Sequence, residues 1–157
     1  MTVLMKLDND CEVAVIANAT QITYDEAMAA LGRIDLPYDL ESPVFANPIN
    51  LYRALIKLGF WKKNITLTML LNGECEKGST IVLVKKSLTQ QHYVTWEGID
   101  NQGNHLLLWG QKETPVTRTP AQLKELFLTS WPNCAFQVYK ASFWRLMWEK
   151  FKAFFIK

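Results

Sequence analysis

The sequence predicts one α+β domain in which N-terminal helices pack against a C-terminal antiparallel sheet. Helix caps and nearly continuous apolar segments occupy the first part of the chain, whereas β-branched and aromatic segments separated by turn residues occupy the middle. The chain has 157 residues, of which 49% are hydrophobic and 20% are charged. It is therefore long enough to bury a core of its own and too apolar to be disordered.

Two helices are predicted close to the N-terminus. Residues 11–20 are rich in Ala and almost continuously apolar, which indicates a buried helix that Asp10 is suited to cap. Thr23 and Glu26 form a capping box, which begins a short second helix that Gly32 ends.

A loop and a third helix come next. Residues 35–48 contain three prolines, which predicts irregular structure. Residues 50–58 place apolar side chains at the i, i+3, i+4, i+7 spacing of an amphipathic helix, and Gly59 follows as a helix-ending residue.

The middle of the chain is predicted to be β-structure. Residues 81–84 are strongly β-branched, and residues 92–99 and 104–109 flank four turn-forming residues, which indicates a hairpin. Residues 119–122 then begin another helix with Pro at its first position, and residues 135–139 are predicted to form a final strand.

The tail, residues 141–157, is predicted to be an amphipathic, aromatic and basic C-terminal helix that follows a domain of residues 1–140. It carries four basic residues and one acidic residue, a net charge of +3, which leaves −1 for the rest of the chain. This character is typical of a helix that binds a membrane surface or a protein partner. Docking of the same helix on the core of the domain is the alternative.

The composition of the chain excludes several classes of partner and site. A net charge of +2 provides no basic footprint for nucleic acid, so no nucleic-acid partner is expected. No uncharged apolar run reaches about 18 residues, and the N-terminus lacks the pattern of a signal peptide. The three cysteines, Cys11, Cys75 and Cys134, form no Cys-x-x-Cys pair, and the chain has only two His. We therefore expect no disulfide framework, no metal and no cofactor.

Cys11 is the candidate nucleophile because it stands at the predicted N-terminus of a buried helix. The partial positive charge there lowers a thiol pKa and favours thiolate. His92, at the start of a strand, would complete the nucleophile–base pair of a cysteine hydrolase. If the hairpin turn is centred between Asn101 and Gln102, His92 lies opposite Gln111, whose amide oxygen would accept a hydrogen bond from the imidazole Nδ1.

The residues around Cys11 also carry a family resemblance. The pattern reads Asp10-Cys11-x-Val13-Ala14-x-x-Ala17-x-Ala19-Thr20-x-x-x-Tyr24-x-x-Ala27. It resembles the nucleophile helix of papain-like cysteine peptidases of the bacteriocin-leader-processing type. It is still more similar to small phage-encoded relatives that begin Asn-Asp-Cys, as residues 9–11 do here. A His-x-Val strand follows in this family, which residues 92–94 match.

The resemblance covers roughly residues 8–111 and not the tail. It implies a papain-like cysteine peptidase fold, with Cys11 as the nucleophile and His92 as the general base.

Several positions depart from the family pattern. Glu12 stands where a small residue or Val usually follows the Cys, and Met5 stands where a Gln supplies an oxyanion donor. Asn9 is the nearest amide that could replace this Gln, and the Cys11 N–H could also contribute. Gln111 stands where the family has Asp or Asn as its third residue.

The predicted function is thiol-dependent hydrolysis of a bond in a peptide or protein substrate. Cys11, His92 and Gln111 would be the catalytic residues and Asn9 the oxyanion donor. Amide transfer by the same Cys–His pair is a related possibility. The alternative is a catalytically inactive papain-like domain that serves as a phage virion or host-interaction protein, with residues 141–157 binding a membrane or a partner. A cytoplasmic or virion-associated location is expected in either case.

The remaining candidates are assigned structural roles. His105 alternates with apolar residues, which indicates a surface or half-buried His and not a base. Cys75 lies in a polar loop, where Glu74 and Glu76 would raise the pKa of its thiol. Cys134 is expected to be structural.

Overall fold

The structure, a computed structural model, describes residues 2–5, 11–32, 48–85, 91–110, 112–127 and 135–156. In these ranges helices lead and strands follow, in the order α1 (Cys11–Thr20), α2 (Tyr24–Ala30), α3 (Pro48–Lys57), β1 (Phe60–Asn64), α4 (Leu67–Leu71), β2 (Thr80–Lys85), β3 (Gln91–Ile99), β4 (His105–Leu108), β5 (Val116–Arg118), α5 (Pro120–Leu126), β6 (Ala135–Lys140) and α6 (Phe143–Phe154).

The N-terminal helices form where the sequence predicts them. Every residue of α1 is buried, as expected for a nearly continuous apolar segment. The capping box of α2 is confirmed, because Thr23 Oγ1 accepts from the Glu26 N–H at 3.2 Å and the Glu26 carboxylate accepts from the Thr23 N–H at 2.8 Å. Gly32 follows α2 with φ +75°. The loop predicted for residues 35–48 lies outside the described residues, apart from Pro48, which begins α3.

The strands form one antiparallel six-stranded sheet in the order β1-β6-β2-β3-β4-β5. The central strands β2 and β3 and the late strand β6 correspond to predicted segments. The two edge strands, β1 and β5, were not predicted. Each is short, and β1 reads Phe-Trp-Lys-Lys-Asn, so neither has the apolar alternation of a half-buried strand.

The predicted hairpin is confirmed, with one irregularity. Thr95 pairs with Leu108 and Trp96 pairs with Leu107, which is the register that the turn residues predict. The register then shifts by one residue before Ile99 pairs with His105. A β-bulge accounts for this shift, since it places one extra residue on one strand.

The core lies between α1 and one face of the sheet. α1 packs against β3 and also contacts β2 and β6. Fully buried apolar side chains from both layers fill this space, including Ile16 of α1 and, on one face of the sheet, Val82 of β2, Val94 of β3 and Leu107 of β4. α1 therefore has a fixed position over the middle of the sheet.

Helix α6 packs on α3 and on β1 at one edge of the sheet. Within the described ranges, the structure contains no helix with the length and apolar character that crossing a membrane requires.

Candidate active site

Cys11 is the first residue of α1 and is buried, with 8% of its surface exposed. The first N–H groups of a helix have no acceptor inside the helix and point to this end. The Cys11 thiol donates to the Glu12 carboxylate, with Sγ 3.6 Å from Oε2. Glu12 is itself 1% exposed, so a buried carboxylate lies directly beside the thiol.

His92 is the second residue of β3 and is almost fully buried. Its backbone pairs with Val84 of β2, which fixes the start of the strand. The imidazole stacks on the Trp109 indole, with ring centroids 5.0 Å apart and an interplanar angle of 15°. The ring is therefore held from one side by a flat aromatic surface.

A backbone carbonyl sets the orientation of this imidazole. His92 Nε2 lies 2.8 Å from the Trp109 carbonyl oxygen. Since a carbonyl oxygen only accepts, Nε2 must carry the proton in this hydrogen bond. In the neutral ring the lone pair is then on Nδ1, which is the nitrogen able to take a proton from a thiol.

The sequence indicated a different acceptor and a different nitrogen. It predicted that the Gln111 side chain would accept a hydrogen bond from Nδ1. The Trp109 ring does pack, but its carbonyl also binds Nε2. Because every residue has a carbonyl, no sequence signal could have pointed to this one. Gln111 and Asn9 both lie outside the described residues, so their roles stay predictions.

The segment that follows β4 connects His92 with the first turn of α1. The Met5 N–H donates to the Gly110 carbonyl at 2.7 Å. A Cβ built on Gly110 would lie 2.9 Å from Met5 Cγ and 3.4 Å from Ala14 Cβ. Gly110 therefore passes closely between Met5 and α1, and its φ of +82° also favours glycine. Its neighbour is Trp109, whose carbonyl holds His92.

The N-terminal segment is fixed along α1 by one side chain. The Asn18 amide accepts from the Val3 N–H at 2.7 Å and donates to the Val3 carbonyl at 2.9 Å. Two residues further on, Met5 lies against Gly110.

His105 is not at the surface or half-buried, and that prediction was wrong. It is fully buried, and its Nδ1 accepts from the Trp96 indole N–H at 3.0 Å. Burial lowers the pKa of His105 from its ordinary value of 6.5, although Asp100 opposes this shift. A neutral imidazole suits the acceptor role, so His105 is a structural partner of Trp96.

Cys75 differs from Cys11 because it is only partly buried and lies outside the helices. The pKa of the Cys75 thiol is raised, as predicted, but the cause is burial and not the neighbouring carboxylates. Cys134 lies outside the described residues. In the described part of the chain, no cluster of three or more His, Cys, Asp or Glu side chains is arranged to hold a metal ion.

Three solved structures are similar to this one. The peptidase domain of Streptococcus ComA, a bi-functional ABC transporter involved in a quorum-sensing pathway, has a TM-score of 0.65 at 16% identity over 88% of this chain and 96% of that chain. A double glycine motif protease from an AMS/PCAT transporter, solved with its leader peptide, has a TM-score of 0.63 at 12% identity over 90% and 91%.

The third is the N-terminal peptidase C39 like domain of the toxin secretion ATP-binding protein from Vibrio parahaemolyticus, with a TM-score of 0.50 at 16% identity over 85% and 98%. No protein-family model matches the sequence, and no curated protein does. The chain has the papain-like fold of C39 peptidase domains, with helices on an antiparallel sheet, as the sequence predicts.

Proposed function

We propose that this protein is a cysteine peptidase in which Cys11 attacks a peptide carbonyl and His92 transfers the proton. The observation that carries this proposal is the fixed imidazole, whose Nε2–H is bound by the Trp109 carbonyl and whose ring stacks on the Trp109 indole. This arrangement assigns the lone pair of the neutral ring to Nδ1. His92 lies on β3, the strand against which α1, the helix that begins with Cys11, packs.

The chemistry follows the usual steps of thiol hydrolysis. The Cys11 thiol gives its proton to His92 Nδ1, and the resulting thiolate forms a bond to the substrate carbonyl carbon. When the tetrahedral intermediate collapses, His92 returns the proton to the leaving amine, and an acyl-thioester remains on Cys11. Water, deprotonated by His92, then hydrolyses the thioester and regenerates the thiol.

Trp109 would orient the base throughout this cycle. Its carbonyl accepts from Nε2–H in both the neutral ring and the imidazolium, so the ring keeps one orientation while Nδ1 gains and loses its proton. A carbonyl stabilises the imidazolium less than a carboxylate does. We assign the orienting role to this carbonyl, with Gln111 as a secondary contact.

Oxyanion stabilisation would come from the N-terminus of α1. The Cys11 N–H belongs to the donors that a helix leaves without an internal acceptor, and Asn9 is the proposed side-chain donor. Met5 occupies the position of the family's Gln and packs its side chain on Gly110. Since one missing donor typically costs about 10²–10³ in rate, we expect a slow enzyme.

The proposed substrate is a peptide, because one of the similar structures is a double glycine motif protease in complex with a leader peptide. A peptide containing a double-glycine motif is therefore the first probe. We expect the intact protein to cleave it at one position, as shown by mass spectrometry. Cys11→Ala and His92→Ala should abolish cleavage, whereas Cys75→Ala should retain it. Cleavage that survives Cys11→Ala would refute this assignment.

Glu12 favours a second candidate function, an inactive domain that keeps the fold for a phage particle or a host interaction. Its buried carboxylate accepts a hydrogen bond from the Cys11 thiol and would oppose a negative charge on the sulfur. In that case Cys11 would react with iodoacetamide as slowly as Cys75, and His92→Ala would leave its rate unchanged.

A further inference from the structure

Helix α6 docks on the domain through its charged side. Glu149 is 1% exposed and accepts a hydrogen bond from the Tyr52 hydroxyl of α3. Its Oε1 lies 2.9 Å from both Arg145 Nε and Lys152 Nζ. The Arg145 guanidinium also lies 3.7 Å from the centroid of the Trp61 ring on β1. The Tyr52–Glu149 hydrogen bond and the Arg145–Trp61 contact therefore hold α6 against α3 and the sheet edge.

The opposite side of α6 is an exposed apolar face. Its members are large side chains with between 51% and 83% of their surface exposed: Phe143, Trp144, Met147, Trp148, Phe151, Phe154 and Phe155. Rings on this face contact one another in two groups, with centroids 5.0–5.8 Å apart: Phe143 with Trp144, and Trp148 with Phe151, Phe155 and Phe154. A surface helix ordinarily has the reverse arrangement, with its apolar side towards the core. Exposed apolar patches of this kind mark interaction surfaces.

Basic residues border the aromatic face. At 3.6 residues per turn, its members cover an arc of about 140° around the helix. Lys150 lies at one margin of this arc, and Lys152 and Arg145 lie at the other. This order, with cations beside a Trp- and Phe-rich face, is typical of helices that lie in the interface of a bilayer.

Charge is strongly segregated towards this side of the molecule. The four adjoining elements α3, β1, β6 and α6 contain eight basic residues and one acidic residue, a net charge of +7. The other residues that the structure describes include five basic and nine acidic ones, a net charge of −4. The overall charge of +2 conceals this asymmetry.

We propose that α6 binds the surface of an anionic lipid bilayer, with its axis parallel to the membrane and its aromatic face among the headgroups and upper acyl chains. The charge asymmetry would orient the molecule, with the basic elements towards the lipid and the acidic remainder away from it. A second copy of the chain is a poor occupant of this face. Pairing two such faces would bring together two groups of elements that each have a net charge of +7, and these would repel one another. This inference does not depend on peptidase activity.

The experiment is flotation of the full chain with lipid vesicles. Phosphatidylcholine vesicles with and without phosphatidylserine are compared at low and at physiological salt. We expect binding to the anionic vesicles, weakening as salt rises, and much weaker binding to pure phosphatidylcholine. No flotation with anionic vesicles at low salt would overturn the proposal. A self-association that Trp144→Ser abolishes, without vesicle binding, would instead identify the face as a contact between copies.

Two variants test the two parts of the surface separately. Trp144→Ser with Phe154→Ser removes the two most exposed rings of the aromatic face, at 80% and 83% exposed, and should weaken binding at least about tenfold. Lys150→Glu should weaken binding to anionic vesicles about fivefold or more. Its matched control is Lys124→Glu, an equal charge change on α5 beside the opposite edge strand β5. An equal loss of vesicle binding in Lys150→Glu and Lys124→Glu would contradict a membrane-binding surface localised at α6.

Discussion

His92, the proposed general base, is oriented by a backbone atom. Its Nε2–H is bound by the Trp109 carbonyl at 2.8 Å, and the indole of the same residue covers the ring. One residue thus supplies both the acceptor and the stacking surface. The side-chain acceptor that the sequence indicated, Gln111, lies outside the described residues, so its role stays a prediction.

Substitutions at Trp109 and Gln111 should therefore differ in effect. Trp109→Ala keeps the backbone carbonyl but removes the stacked indole, so one of the two contacts that hold the imidazole is lost, and we expect the alkylation rate of Cys11 to fall about tenfold or more. Gln111→Ala should change that rate less than about threefold. The rate is measured by mass spectrometry of the Cys11 peptide. A larger loss in Gln111→Ala would restore the side chain as the orienting group.

Glu12 is expected to restrain the nucleophile. Its carboxylate accepts the thiol hydrogen at 3.6 Å and would repel a thiolate in the same buried space. Glu12→Gln should therefore increase the alkylation rate of Cys11 near neutral pH by roughly three- to tenfold. The rate of Cys75 in the same molecule is the internal control. A decrease would mean that Glu12 acts as a base for Cys11.

At the scale of elements, the backbone of Gly110 passes closely between Met5 and α1. Gly110→Ala would place a Cβ 2.9 Å from Met5 Cγ in a residue with φ +82°. We expect a loss of about 2–3 kcal/mol in the free energy of unfolding, together with slower alkylation of Cys11. Urea denaturation gives the free energy.

Gly103→Ala is the matched control for this substitution. Gly103 has φ +80°, but a Cβ there would meet nothing within 4 Å. Only the backbone strain remains, so we expect a loss of about 1 kcal/mol and normal alkylation of Cys11. Equal losses at the two glycines would show that the approach of Met5 and α1 to Gly110 is not tight.

Elements with a local signal were predictable from the sequence, and elements defined by distant contacts were not. The bounds of α1 followed from its apolar run, and the start of α2 followed from the box between Thr23 and Glu26. The edge strands β1 and β5 have no such pattern, since they form by pairing with β6 and β4. The polar docking of α6 depends on Tyr52, which is 97 residues away from Glu149.

The candidate site likewise contains residues that the sequence predicts and contacts that it does not predict. Cys11 and His92 were selected by residue type and by position on their elements. The Trp109 carbonyl, the contact of Gly110 with Ala14 and the burial of His105 arise from tertiary packing, which no local pattern records.

At the scale of the whole molecule, His105 makes stability depend on pH. Burial lowers its pKa below 6.5, so the unfolded chain binds this proton at a higher pH than the folded chain does. The free energy of unfolding should therefore decrease as pH falls from about 6.5 towards the lowered pKa of the folded state. His105→Asn keeps an acceptor for Trp96 and removes the titration. Its free energy of unfolding should change less with pH than that of the parent, and an unchanged slope would contradict this account.

The most direct measurement for the central claim is the alkylation rate of Cys11 by iodoacetamide, near neutral pH, in the parent protein and in His92→Ala. If folding pairs this thiol with the His92 imidazole, Cys11 reacts at least about tenfold faster than Cys75 and loses this advantage in the variant. Equal, slow reaction of both cysteines, unaffected by His92→Ala, would contradict the pairing and leave the papain-like fold without its nucleophile.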